Sequence, residues 1–139
     1  MTNEEFNDYF RKRLRQFAID VLKFIDTVPV TTATRIMNYQ LGKAASSVGA
    51  NHRAFCRGRS RNERFSKICI VVEEADESEY WLDIYLALEY GDAATKKYLY
   101  DESVEILKIS SSIKNSMGGQ SLSPSHPLTV SPSTDQTTS

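Results

Sequence analysis

The residues best suited to chemistry stand close together near the middle of the chain. Arg53, Arg57, Arg59, Arg61 and Arg64 fall between positions 53 and 64, with Glu63 the only acid among them. Guanidinium forks beside the free backbone amides of a helix start make an anion site, and a phosphate suits it. Cations at a helix start also oppose the helix dipole, so the placement calls for compensation. Two other accounts of the cluster stay open: carboxylates of a neighbouring chain neutralise it, or it is merely solvated. Residues 73–92 give the first of these some substance, since they carry eight carboxylates and no cation.

Within that acidic stretch Glu74 and Glu77 share a helix face with Ile70 and Trp81. Folding the chain back at Gly58 sets Lys43 across from Glu74 and Gln40 across from Glu77, which suggests a structural polar layer or a subunit contact. A di-iron carboxylate centre would need Glu-x-x-His pairs on two helices, and the sequence contains none. His52 and Cys56, four residues apart, share a face and supply two potential metal ligands, short of a closed site. No metal or other cofactor is expected. Trp81, with Tyr80, Tyr85 and Tyr90, gives one helix an aromatic side suited to core or interface burial, with base stacking as the rarer use. There is no glycine-rich phosphate loop, no G-x-S-x-G and no credible acid pair. The expectation is a protein without enzymatic activity and without a small-molecule substrate.

These residues need a scaffold, and the chain has room for one domain: 139 residues with a net charge of −1. No global field draws it to nucleic acid or to an anionic membrane; any such attraction must be local. No apolar run approaches the roughly 20 residues that cross a bilayer, and the acidic start lacks a secretion signal. Two cysteines, Cys56 and Cys69, are too few for a disulfide framework and read as reduced thiols in the cytoplasm.

The scaffold reads as all-α, an antiparallel up-down-up-down four-helix bundle over residues 1–117. The first helix, from about Glu4 to Val28, opens on a Thr2/Glu5 capping box and carries the stripe Phe6, Phe10, Leu14, Phe17, Val21, Phe24 and Val28. Pro29 closes it. The second, from Thr32 to Arg57, has Ile36, Leu41, Ala44, Ala45 and Val48 as its expected buried line, with small residues that permit close helix approach. Gly58 stops it. The third opens on the capping box Ser60/Glu63 and runs to Tyr90, with Gly91 as the stop. It carries two stripes: Ile68, Val71, Val72, Ala75, Leu82 and Leu86, then Ile70, Trp81, Ile84 and Leu88. The second stripe predicts cover by another copy of the chain. The fourth runs from Thr95 to Met117 and closes at Gly118-Gly119. Of the 19 residues 121–139, 13 are Ser, Thr or Pro, too few apolar groups to offset ordering entropy, so residues 118–139 are expected to be a disordered tail.

The central stretch also resembles the bacterial four helix bundle protein family, which includes proteins encoded within intervening sequences of large-subunit ribosomal RNA genes. The matching residues are Gln40-Leu41, the small run to Val48, Ala50-Asn51, Arg53, Cys56-Arg57, Arg59-Ser60, Glu63, Phe65, Ile70 through Glu77, and Trp81-Leu82. The resemblance implies a ring-like homopentamer. It further implies kinship with the accessory proteins of diversity-generating retroelements, which bind nucleic acid and a reverse transcriptase. On that basis the arginine elbow is expected to contact RNA or DNA phosphates or a nucleic-acid-bound protein. The competing expectation is a protein–protein module whose arginines pair between subunits.

Overall fold

The computed structural model describes residues 1–121, and four helices account for nearly all of them: α1 (Asn3–Thr27), α2 (Thr32–Cys56), α3 (Arg61–Ala87) and α4 (Ala93–Ser121). Each is paired with its sequence neighbours, α1 also touches α4, and no close backbone approach spans either diagonal. That is the up-down-up-down bundle. A 25-residue helix such as α1 is about 38 Å long, and the topology gathers the start of α1, the end of α2, the start of α3 and the end of α4 at one end.

Local chemistry sets the helix starts. The Glu5 amide donates to Thr2 Oγ1 (3.0 Å) and the Thr2 amide to Glu5 Oε1 (2.7 Å), the expected capping box. Thr31 and Thr34 build a second, which the sequence conceals because a threonine replaces the usual Glu or Gln. Asp92 accepts from the Thr95 amide at 2.9 Å and starts α4 two residues earlier than expected.

The α1 stripe is buried from Phe10 through Val28, with Phe6 half-buried at its end. On α2 one expectation fails: Ile36 is 55% exposed, and Met37 is buried instead. Met37, Leu41, Ala44, Ala45, Val48, His52 and Phe55 keep the alternating three- and four-residue spacing of one helix face, and Ile36 is out of phase with it. The small residues do what their size suggests: Ala44 and Ala45 are fully buried.

Both stripes of α3 need rereading. Trp81 and Ile84 are half-buried and pack against the chain's own core, and only Leu88 of the second stripe is left 39% exposed. The cause is the position of α3, which is closely flanked by both α2 and α4. A helix with two near neighbours buries a wide face within one protomer, so this stripe does not require a second copy. Leu86, assigned to the first stripe, is 38% exposed.

The end of α3 also differs. It stops at Ala87, because the buried Lys96 of α4 reaches back and donates to Tyr85 O (3.0 Å) and Leu88 O (2.7 Å). A cation there meets the negative end of the helix dipole. Gly91 lies beyond the helix at φ +84°, packed so closely on Phe24 that a Cβ would collide with the ring. Helix α4, for its part, continues through Gly118-Gly119 to Ser121 and not merely to Met117. Residues 118–121, expected to open the tail over 118–139, thus belong to α4, and the rest of that tail lies outside the described residues.

Candidate nucleic-acid interface

The elbow between α2 and α3 is a compact turn. Arg57 caps α2 with its amide directed at Arg53 O and Ala54 O, and Gly58 N donates to Phe55 O at 3.2 Å. Gly58 is needed for space and not for an unusual backbone angle: a Cβ there would strike Cγ of Arg64. Ser60 accepts from the Glu63 amide at 3.0 Å. The Glu63 carboxylate, expected to answer Ser60, instead accepts from the Arg59 amide at 2.6 Å, one residue further back.

The structure divides the five arginines between two recesses. Arg53, Arg57 and Arg59, joined by Lys67, surround a hollow of about 550 Å³ between α2 and α3. Its floor is Ala50 and Ala54, so the depth comes from the missing bulk of two alanines. Glu63 is the one carboxylate at its edge, already occupied by the Arg59 amide. Among the described residues, no carboxylate stands within ion-pair distance of the side chains of Arg53, Arg57, Arg59 or Lys67. The three arginines are exposed. Lys67, four residues beyond Glu63, lies past the end of the arginine run at Arg64 and so gives little signal in the sequence.

Arg61 and Arg64 face the other side of the elbow. They line a larger cleft, about 730 Å³, where all four helices meet. Arg61 Nη2 donates to Met117 O at 2.5 Å, tying α3 to the end of α4. The Arg64 guanidinium lies over the Phe55 ring, 4.7 Å from its centroid, a cation–π contact. Phe6, Ile109, Ile113 and Met117 supply apolar wall; Asn3, Asn7, Lys108, Ser112 and Ser116 supply polar groups. The sequence signal for this cleft is indirect, since only the helix order brings α1 and α4 to the arginines.

Beneath the elbow His52 is fully buried, edge-on to Phe10 at 5.0 Å and 5.9 Å from the Phe55 ring centroid. Burial, reinforced by repulsion from Arg11, pushes its pKa down to about 4. Cys56 Sγ is 3.7 Å from His52 Nε2, and desolvation raises the thiol. Helical spacing thus brings the two together as expected. No group of three His, Cys, Asp or Glu gathers into a metal-binding set among the described residues.

The acidic residues form no inner polar layer. Lys43 and Glu77 are exposed and Glu74 is half-buried. The register is right, for Gln40 and Glu77 line one hollow of about 500 Å³ with Glu73, Asp76, Tyr80 and Trp81. Burial raises the Glu74 carboxyl, Glu77 adds to that, and Lys43 opposes it, yet no Lys43–Glu74 ion pair forms. These side chains lie too near the rim for a buried network.

A basic hollow beside the α2–α3 turn of an antiparallel helical bundle defines the class: an all-helical bundle with a charged elbow. The chain belongs to the 23S rRNA-intervening sequence protein family, whose profile matches residues 9–112. A solved structure of the same fold is a protein of unknown function from the S23 ribosomal protein family of Bacteroides thetaiotaomicron. It is 25% identical, with a TM-score of 0.69 over 78% of this chain and 97% of that one. No curated protein matches the sequence significantly. Among the described residues no helix is long and apolar enough to cross a membrane.

Proposed function

We propose that this protein is a non-enzymatic RNA-binding accessory bundle, acting in the cytoplasm as a homopentamer and contacting phosphates through the basic hollow. One observation carries the reading: four cationic side chains ring an alanine-floored recess and none has a carboxylate partner among the described residues. Maintaining uncompensated charge at close quarters is unfavourable, and a polyanion relieves it. Contact of this kind is tolerant of sequence, because phosphates position a nucleic acid without reading it. A ring of copies repeats the hollow and multiplies a weak affinity. Phosphate contact alone does not separate RNA from DNA; RNA is the partner put to the test, DNA of the same length is its control, and a nucleic-acid-bound protein such as a reverse transcriptase is the expected co-partner.

Salt-dependent gel shifts test the reading. Wild type should bind short RNA near 100 mM salt, with affinity falling as salt rises. Arg53→Ala/Arg57→Ala should bind more weakly and with a shallower dependence, the log–log slope falling by about 0.7 for each single-strand phosphate no longer neutralised. Binding that ignores the substitution overturns it. Native mass spectrometry reads the pentamer, and a monomer at micromolar concentration refutes that part.

A second reading has its own support. The acidic hollow of Glu73, Asp76 and Glu77 also lacks ion-pair partners among the described residues, and a neighbouring copy could bring the two hollows together. The protein would then be a protein–protein module. A pentamer that dissociates on Arg53→Ala/Arg57→Ala and never shifts RNA would establish this alternative.

A further inference from the structure

The cleft on the far side of the elbow has no role in phosphate contact at the hollow, yet its walls are chemically mixed in an unusual way. Phe6 is a half-buried ring backed by Phe10, the two stacked at 5.8 Å and 20°. The Arg64 guanidinium sits over the Phe55 ring. Asn3 and Asn7, at the start of α1, line the same cleft with Lys108 of α4. A supported aromatic ring and an oriented guanidinium are stacking surfaces for a nucleobase. Side-chain amides offer a donor and an acceptor together, as base edges require. The exposed Lys108 ammonium at the rim, 3.6 Å from Glu105 Oε2, can turn from that loose pair to an attached phosphate. An alkyl chain fits poorly, because amides and hydroxyls share the wall with the apolar groups and would be desolvated without partners. The volume, about 730 Å³, lies within the roughly 300–1,000 Å³ usual for small-ligand clefts.

We propose that this cleft houses one unstacked nucleotide of a single-stranded RNA whose backbone crosses the first turn of α3 from the basic hollow. The inference rests on the RNA reading and adds to it a preference for single strands over duplex. Arg59 on the hollow side and Arg61 on the cleft side stand two positions apart, so a strand passing over the elbow meets both recesses.

The test fills the cleft. Ser112 and Ser116 are exposed on its wall, so Ser112→Leu/Ser116→Leu adds bulk there without touching the hollow or the core. Fluorescence anisotropy is measured with a short single-stranded RNA and with a duplex of matched length, and adenosine 5′-monophosphate is titrated by NMR. Wild type should prefer the single strand. The filled variant should bind the single strand about ten-fold more weakly, as expected when one base no longer stacks, keep its duplex affinity, and show no nucleotide-induced shifts. Arg53→Ala/Arg57→Ala should weaken both RNAs while retaining the mononucleotide. If wild type binds RNA and the filled variant binds the single strand equally well, the cleft inference falls and the RNA reading stands. If wild type binds neither RNA, the RNA reading falls; mononucleotide binding abolished by filling would still uphold a nucleotide site, and its absence would overturn it. Should the filled variant misfold by circular dichroism, crosslinking of 4-thiouridine RNA to wild type decides. Crosslinks at Phe6 or Arg64 support the site, and crosslinks confined elsewhere refute it.

Discussion

Acid should destabilise this bundle through His52. The ring is fully buried, and its pKa in the folded chain is about 4 against an ordinary 6.5. Because the folded value is the lower one, the unfolded chain takes up the proton first. Stability is undiminished above pH 6.5 and declines as pH falls from there toward 4, where the loss is complete. At about 1.4 kcal/mol for each tenfold change in proton affinity, the gap between 6.5 and about 4 sets a ceiling of roughly 3–4 kcal/mol. That is a large share of the 5–15 kcal/mol typical of a small domain. Carboxylates held low by partners, among them Glu5, Asp8 and Asp92, also give up stabilisation on acidification, so a control is needed. Urea denaturation of wild type and His52→Leu at pH 7.5, 6, 5 and 4 separates the contributions, since only that of the histidine disappears in the variant. The two stability curves should converge, or cross, on the acid side. Curves that stay parallel over the whole interval would refute this account of the histidine.

The other predictions concern the scaffold. Lys96→Met should cost about 1–3 kcal/mol, because Leu88 O loses its donor and Tyr85 O keeps only the Leu88 amide; hydrogen exchange should rise first at Tyr85 through Leu88, and an unchanged melt would dismiss the cap. Arg13 grips Glu102 with two 2.7 Å bonds across the thin α1–α4 contact. A double-mutant cycle of Arg13→Ala and Glu102→Ala should show coupling of about 1–2 kcal/mol, and strict additivity would mean the pair is inert. Ala45→Leu should cost about 1–3 kcal/mol by overpacking, and unchanged stability would show that the α2 contact has slack.

Periodicity reveals the helices, and their short connections reveal the topology, because both depend on local spacing. The departures arise where a distant side chain intervenes. Nothing near Tyr90 announces that Lys96 will end α3 at Ala87, and Gly91, the nearest glycine, looks like the stop. The two stripes of α3 are legible, but what covers the second depends on whether one neighbour or two flank the helix. At the elbow the arginine cluster is plain as composition. Its division is not, since residues two apart on a helix start point to different sides, and the cleft draws on α1 and α4 as much as on the elbow itself. Ile36 shows the limit in miniature: an isoleucine at the wrong phase is a surface residue.

The recess floored by Ala50 and Ala54 owes its shape to omission. The floor stands open to solvent, so the cost of taking up a guest falls on the exposed arginine side chains around it, which must give up rotamer freedom. One change from alanine to valine at either position would make the recess shallower while every charge remained in place. A homologue can therefore keep all its arginines and have a shallower recess, so the pair of alanines is the better feature by which to sort this protein's kin.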